Sequence, residues 1–380
     1  MIEAPIIIIG AGPAGLAMAG RLEQLGIEDY IIIESASNVG PSWRSHYDRL
    51  HLHTVKKWSH LPHFPFPEAY PTYVSRQQVV EYLDAYAVKF NIKPRLNESV
   101  SQIAKEGLKW KVKTSKEDYI ADQVVVATGI NKIPNVPTWP GQDTYKGKIT
   151  HSKYYKNPDP YKDHEVLIIG MGNTGSEVAL DLANHDVPVH LSVRSPISLV
   201  PRDLNGRPVQ ETAKVLAKIP FGLGDWLGSQ IRKIYFGNVE KYGLRISKMH
   251  PTVQLKETGK TPVIDLGTID MIKKGKIKVL PDIQSFYEDG VVTTDGDQIE
   301  VSRVILATGY KAGIEDMMPS VERIFDSHNL PNRIIGDGDL EGSYFLGFDN
   351  YKLGGILGTI FNDSEVIAEI IQSKLEKQKV

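Results

Sequence analysis

Two stretches of the chain carry glycines at the same spacing: Gly10, Gly12 and Gly15 in IIIIGAGPAG, and Gly170, Gly172 and Gly175 in VLIIGMGNTG. In such a turn the first glycine permits a tight bend, the second lets backbone approach a pyrophosphate, and the third lets the next helix pack close to its strand. That helix then offers unpaired N–H groups and a partial positive charge to the phosphates. Asn173 and Thr174 in the second turn suit pyrophosphate donation or helix capping. Counting from the first glycine to the end of the following strand gives 34 − 10 = 24 and 194 − 170 = 24, so Glu34 and Arg194 hold equivalent places. A carboxylate there accepts hydrogen bonds from free ribose hydroxyls, whereas a guanidinium pairs with a 2′-phosphate. Glu34 therefore suits FAD or NAD. Arg194, with Ser195 as a further donor, suits NADP; its other reading is a solvated charge at a strand end. Two different nucleotides on one chain predict a flavoprotein fed by NADPH.

The elements that must position these residues are two βαβ units, read from APIIIIGAGPAGLAMAGRLEQLGIEDYIIIES and HEVLIIGMGNTGSEVALDLANHDVPVHLSVRS. The expected fold is α/β, with two Rossmann-like dinucleotide-binding domains. Buried strands precede Ala-Thr-Gly twice, at Ala127–Gly129 and Ala307–Gly309, which places Thr128, Gly129, Thr308 and Gly309 beneath the nucleotides or in ordinary strand-to-loop turns. Val100 joins the cofactor-binding set. The NADPH domain is expected as an insertion: residues 1–157 and 306–380 form the FAD domain, and 158–305 the inserted one, after the polar linker KNPDPYKD. A closing helix around SEVIAEIIQSKLEKQK has Val366, Ile367, Ile370 and Ile371 as its apolar stripe.

The bulk properties narrow the class. A chain of 380 residues, 41% hydrophobic, can bury a large core, and its net charge of −2 gives no field for nucleic acid or an acidic membrane surface. No apolar run spans a bilayer and no basic leader precedes the first strand, so a cytoplasmic protein without stable membrane insertion is expected. The absence of cysteine excludes thiolate nucleophiles and dithiol redox pairs. His46, His51, His53, His60 and His63 cluster without HExxH or other ligand spacing, so no metal is expected. Arg76 in SRQQ reads as a helix-start charge or a group near the nicotinamide or a substrate acid. FGLGDWLGSQIRKIYFGNV reads as amphipathic packing, a substrate entrance or a subunit contact.

Between the glycine turns lies YKGKITHSKYY, whose Tyr145, Gly147, His151 and Tyr155 resemble the fingerprint FxGxxxHxxx(W/Y) of flavin-containing and Baeyer-Villiger monooxygenases. Tyr145 replaces the usual phenylalanine and adds a hydroxyl that needs a partner. YDRLHLHTVKKWSHLPHFPFP, YPTYVSRQQVVEYLDAYA, VEKYGLR and ETGKTPVIDLGTIDMIKKGKIKVLPDI are similar to the plant YUCCA branch, whose members convert indole-3-pyruvate to indole-3-acetate. The resemblance implies that NADPH reduces FAD, that O2 adds to give a C4a-hydroperoxide, and that retained NADP+ shields it until a substrate arrives. Substrates it implies are a keto acid such as indole-3-pyruvate, a soft sulfide or amine, or a ketone. Competing readings are an oxidase or flavin reductase, and a non-enzymatic flavin redox sensor. By the same resemblance Trp43 and Arg44 lie beside FAD, although a tryptophan after a turn also suits a core. His53 falls where animal and bacterial flavin-containing monooxygenases carry an asparagine that holds the hydroperoxide and the nicotinamide ribose, whereas the YUCCA-like pattern has histidine there; a histidine could hydrogen-bond near the flavin, and a structural histidine fits that place too. His151 couples NADP binding to domain movement, and a homodimer is suggested.

Overall fold

Ile6–Ile9 and Val124–Val126 are nearly free of solvent, as continuous apolar runs are when a parallel strand is covered on both faces. The computed structural model describes residues 1–216, 223–349 and 355–378. They divide into two units. The first comprises Met1–Ser45, Thr54–Ile133 and Tyr310–Val380, the second His46–His53 and Pro134–Gly309.

In the first unit strand Ile2–Ile9 lies between Ile31–Ile33 and Asp118–Val126, parallel to both. Lys109–Thr114 and then Val100–Glu106 extend the sheet antiparallel, and Ser343–Phe345 returns parallel to the end of Asp118–Val126. Its core gathers Ile7, Val112, Val124, Met318 and Phe345. Helix Pro13–Gln24 packs against the closing helix Gly355–Gln378. On that closing helix Asp363, Ser364, Ile367, Ala368 and Ile371 are buried, whereas Val366 is 42% exposed. The expected stripe thus holds at Ile367 and Ile371 and fails at Val366, because the i, i+3, i+4 face runs through a buried Asp and Ser that hydropathy alone passes over.

The second unit is built on a five-stranded, all-parallel sheet in the order Ile277–Leu280, Val189–Ser192, Val166–Ile169, Arg303–Leu306, Lys148–His151. Helix Asn173–Asn184 connects Val166–Ile169 to Val189–Ser192 as the crossover of the βαβ unit. An antiparallel meander, Ile283–Tyr287, Gly290–Thr293 and Gln298–Glu300, packs Phe286 and Val291 against Tyr145 and Leu306. The border expected at 158 falls instead at 133/134, since Lys148–His151 is an edge strand of this sheet; the other falls at 309/310. His46–His53 belongs to this unit as well, although it lies within the sequence of the other. Of FGLGDWLGSQIRKIYFGNV, Phe221 and Gly222 lie outside the described residues, and the helix that follows spans Leu223–Phe236.

Candidate functional site

The two glycine turns have nearly the same geometry. Gly10 sits at φ +104°, and a Cβ on it would stand 2.6 Å from the carbonyl oxygen of Ala127; Gly170 sits at φ +106°, 2.7 Å from that of Ala307. A Cβ on Gly15 or Gly175 would come within 1.8 or 2.0 Å of the carbonyl oxygen of Gly10 or Gly170. Gly12 and Gly172 are different: a Cβ on either meets nothing within 4 Å, so open space lies in front of each helix. Both are N-cap residues that supply no side-chain cap, leaving the first N–H groups of helices Pro13–Gln24 and Asn173–Asn184 for an anion. Gly129 and Gly309 also border open space. Thr128 Oγ1 is buried without a partner among the described residues, while Thr308 Oγ1 donates to the Asn135 carbonyl at 2.6 Å. An orphaned hydroxyl beside an open cradle fits a bound dinucleotide in the first unit.

At the strand tips the two cradles diverge. Glu34 is only 5% exposed. Its Oε2 accepts the Ala11 N–H at 2.8 Å, and its Oε1 accepts the Ala36 N–H at 2.9 Å and the Ser35 hydroxyl at 3.1 Å, so the carboxylate lies on the glycine turn itself. The Glu34 N–H donates to the Arg95 carbonyl at 2.9 Å, and that segment leads to half-buried Val100, packed on the core. Arg194 is exposed, and its carbonyl accepts Arg245 Nη2 at 2.6 Å; Lys260 Nζ donates to Ser195 Oγ at 2.9 Å. None of these three cations has an ion-pair partner among the described residues, which is how a site for a multiply charged anion differs from a salt-bridged surface.

Arg245 and Lys260 escaped the sequence reading because no fixed spacing ties them to the turn. The Arg245 carbonyl accepts the Ile197 N–H at 2.9 Å, which brings that segment beside the strand tip. Asn173 positions the other segment: its Nδ2 donates to the Pro262 carbonyl at 3.1 Å and its Oδ1 accepts the Ile264 N–H at 2.7 Å. The Asn173 side chain is thereby committed to this strand, neither capping the helix nor free for a pyrophosphate. Thr174 is half-buried in the first turn.

His151 is 3% exposed, with both ring nitrogens engaged: Nδ1 accepts the Lys153 N–H at 3.1 Å and Nε2 lies 3.1 Å from the Gly309 carbonyl. This fixes a neutral Nε2–H tautomer, and burial holds its pKa below the ordinary value. His151 anchors the second Ala-Thr-Gly turn and has no nitrogen free to move a proton, contrary to a catalytic assignment. The Tyr145 hydroxyl donates to the Val301 carbonyl at 2.8 Å, which answers its need for a partner, and burial pushes the phenol up to about 12.

Trp43 and Arg44 lie half-buried on the short helix Pro41–Ser45. Arg44 pairs with Asp84 and donates through Nε to the Val39 carbonyl at 2.8 Å, while Arg76 Nη1 donates to the Arg44 carbonyl at 3.1 Å. Arg76 therefore buttresses Arg44. His51, His60 and His63 go to separate partners, the carbonyls of Arg49 and Leu61 and the Arg21 guanidinium. His53 pairs through Nε2 with Glu177, a buried carboxylate on helix Asn173–Asn184.

Two βαβ cradles with opposite charges at matching tips define a flavoprotein that draws electrons from a pyridine nucleotide. Residues 7–205 match the pyridine nucleotide-disulphide oxidoreductase family. Over 98% of its length the chain is 35% identical to the probable indole-3-pyruvate monooxygenase YUCCA3 of Arabidopsis thaliana, covering 88% of that protein. Against indole-3-pyruvate monooxygenase YUCCA1 of Oryza sativa subsp. japonica the identity is 36%, with 96% and 90% covered. The fold matches that of a flavin-containing monooxygenase from Stenotrophomonas maltophilia with a TM-score of 0.75 at 17% identity, covering 99% of this chain and all of that one. The chain belongs to the YUCCA family of flavin monooxygenases. Without a cysteine it lacks the dithiol that disulphide reduction requires.

Proposed function

We propose that this NADPH-dependent flavin monooxygenase oxygenates a small 2-keto acid of the indole-3-pyruvate kind. The overall change balances with NADPH, a proton and O2: one oxygen atom enters the new carboxylate, the other leaves as water, and the original carboxyl departs as carbon dioxide. FAD, when bound, supplies hydride acceptance and oxygen activation. In this reading Gly10, Gly12, Gly15, Glu34, Thr128 and Gly129 hold FAD, with Trp43, Arg44 and Val100 beside it. Gly170, Gly172, Gly175, Thr174, Thr308 and Gly309 form the NADPH cradle, and Arg194, Ser195, Arg245 and Lys260 grip the 2′-phosphate. His53 holds a proton for the reaction.

The observation that carries this reading is the contrast between Glu34 on one turn and, at the other, three cations without an ion-pair partner among the described residues. A 2′-phosphate carries the charge and acceptor oxygens that such a cluster would otherwise leave to water. The keto-acid substrate is argued from the YUCCA relatives. A cytoplasmic location and a homodimer belong to the same reading. Among the described residues no helix is long and apolar enough to cross a membrane.

The test offers indole-3-pyruvate, a thioether and a cyclic ketone side by side to the FAD-loaded enzyme with NADPH and O2. Indole-3-acetate with release of carbon dioxide is expected from the first. Sulfoxide or lactone as the dominant product would move the substrate class, and NADPH consumed wholly as hydrogen peroxide would mark an oxidase.

A further inference from the structure

Helix Asn173–Asn184 carries two buried carboxylates one turn apart, Glu177 at 2% exposure and Asp181 at 5%. Burying either is strongly unfavourable unless it is paired and hydrogen-bonded. Three residues of the segment His46–His53 supply most of the partners. Glu177 Oε1 pairs with His53 Nε2, and its Oε2 accepts the Tyr47 hydroxyl at 2.9 Å. Asp181 Oδ2 accepts the Tyr155 hydroxyl at 2.7 Å, while its Oδ1 lies 3.6 Å from Arg49 Nη1 and 3.7 Å from His185 Nδ1. The Asp48 N–H donates to the Lys156 carbonyl at 2.9 Å and fastens the segment's backbone to the same unit.

We infer that Glu177 is a positioning residue for His53: it fixes the proton on Nε2, directs the ring, and ties it to the helix whose N-terminus forms the second cradle. This rests on the proton-holding role proposed for His53. A nitrogen facing a carboxylate carries a proton, so Nδ1 keeps the lone pair. Nδ1 has no protein partner among the described residues, whereas His151 has both nitrogens spent. When Nδ1 takes a proton, the carboxylate stabilises the resulting imidazolium, as an acid behind a catalytic histidine does. The groups that face this pair are Tyr47, Arg49, Asp181 and Tyr155. Burial first, then the Glu177 charge, holds the Tyr47 phenol well above its ordinary range, so it remains a donor. Glu177 stands two residues beyond Gly175, so NADPH seated on this helix and the orientation of the histidine ring share one element.

The test uses FAD-loaded enzyme and 15N NMR of the histidine rings, with the His53 signal assigned by its loss in His53→Gln. In the wild type the neutral ring is expected as the Nε2–H tautomer. The opposite tautomer overturns the inference whether or not any variant folds. Glu177→Gln keeps the shape and removes the charge, and should leave the neutral ring divided between its Nε2–H and Nδ1–H forms. The kcat should fall by about tenfold, with KM for NADPH within about twofold of wild type, given that only one buried charge near the ring has changed. Tyr47→Phe, which leaves that charge, should keep the Nε2–H form dominant. The same tautomer ratio in wild type and Glu177→Gln would overturn the proposal. The NMR arm needs no product, so a tautomer ratio that changes in Glu177→Gln, in an enzyme that oxygenates nothing, would fault the substrate reading and leave the pair intact.

Discussion

At the scale of single residues, the 2′-phosphate reading makes a selective prediction. Removing Arg194, Arg245 or Lys260 as alanine should raise KM for NADPH by about tenfold, the worth of one charge-assisted hydrogen bond, and leave NADH within about twofold. Steady-state kinetics with both coenzymes checks this, and equal losses would show that these cations do not read the phosphate. Buried histidines predict a pH effect of defined sign. His151 and His190 both titrate below the ordinary 6.5 because burial disfavours their charged forms. Below that pH the unfolded chain binds protons that the folded one refuses, so stability is full at neutral pH and falls as pH drops from about 6.5 through the depressed folded values. Melting followed by circular dichroism from pH 7.5 to 5 should show a falling Tm, with a shallower slope in His151→Gln. The placement of Glu34 and Arg194 just past matching strands was legible because their distance from a glycine turn is set by one local unit. Arg245 and Lys260 were not, because pairing across tens of residues brings them to the tip.

At the scale of elements, the glycine turns allow two substitutions of the same size to be told apart. Gly10→Ala places a methyl 2.6 Å from the Ala127 carbonyl oxygen at a φ of +104°, so the fold itself should lose about 2 kcal/mol or more. Gly12→Ala meets nothing, so the apoprotein should melt within a degree or two of wild type, a negligible change for a chain this long. Its FAD affinity should nevertheless fall by at least tenfold as the methyl enters the phosphate's space. Apoprotein melting and flavin titration separate the two outcomes. Both βαβ units were legible from period and spacing. The first border was not, since an edge strand as short as Lys148–His151 is defined by its pairing with Arg303–Leu306 and carries little pattern of its own. Val366 was misjudged for a related reason: hydropathy ranks valine above Asp363 and Ser364, yet the helix turns those two inward.

At the scale of the whole molecule, each nucleotide should stabilise the unit that binds it, by about 2.7 kcal/mol at a hundredfold excess over Kd. Calorimetry with FAD and NADP+ added separately and together is the measurement, and an unchanged thermogram with either would deny that nucleotide its cradle. The chain passes between the two units at 45/46, 53/54, 133/134 and 309/310. A fragment of 134–309 therefore omits Tyr47, Arg49 and His53, and leaves Glu177 and Asp181 without most of their partners. Such a fragment is predicted to aggregate on expression, whereas supplying 46–53 as a fused peptide should recover soluble material, as sedimentation of the lysate would report. Chimaeras assembled from this enzyme and its relatives face the same condition: an octapeptide from the amino-terminal third has to travel with the later module, or the recipient inherits a helix in which Glu177 has lost both its partners and Asp181 its guanidinium.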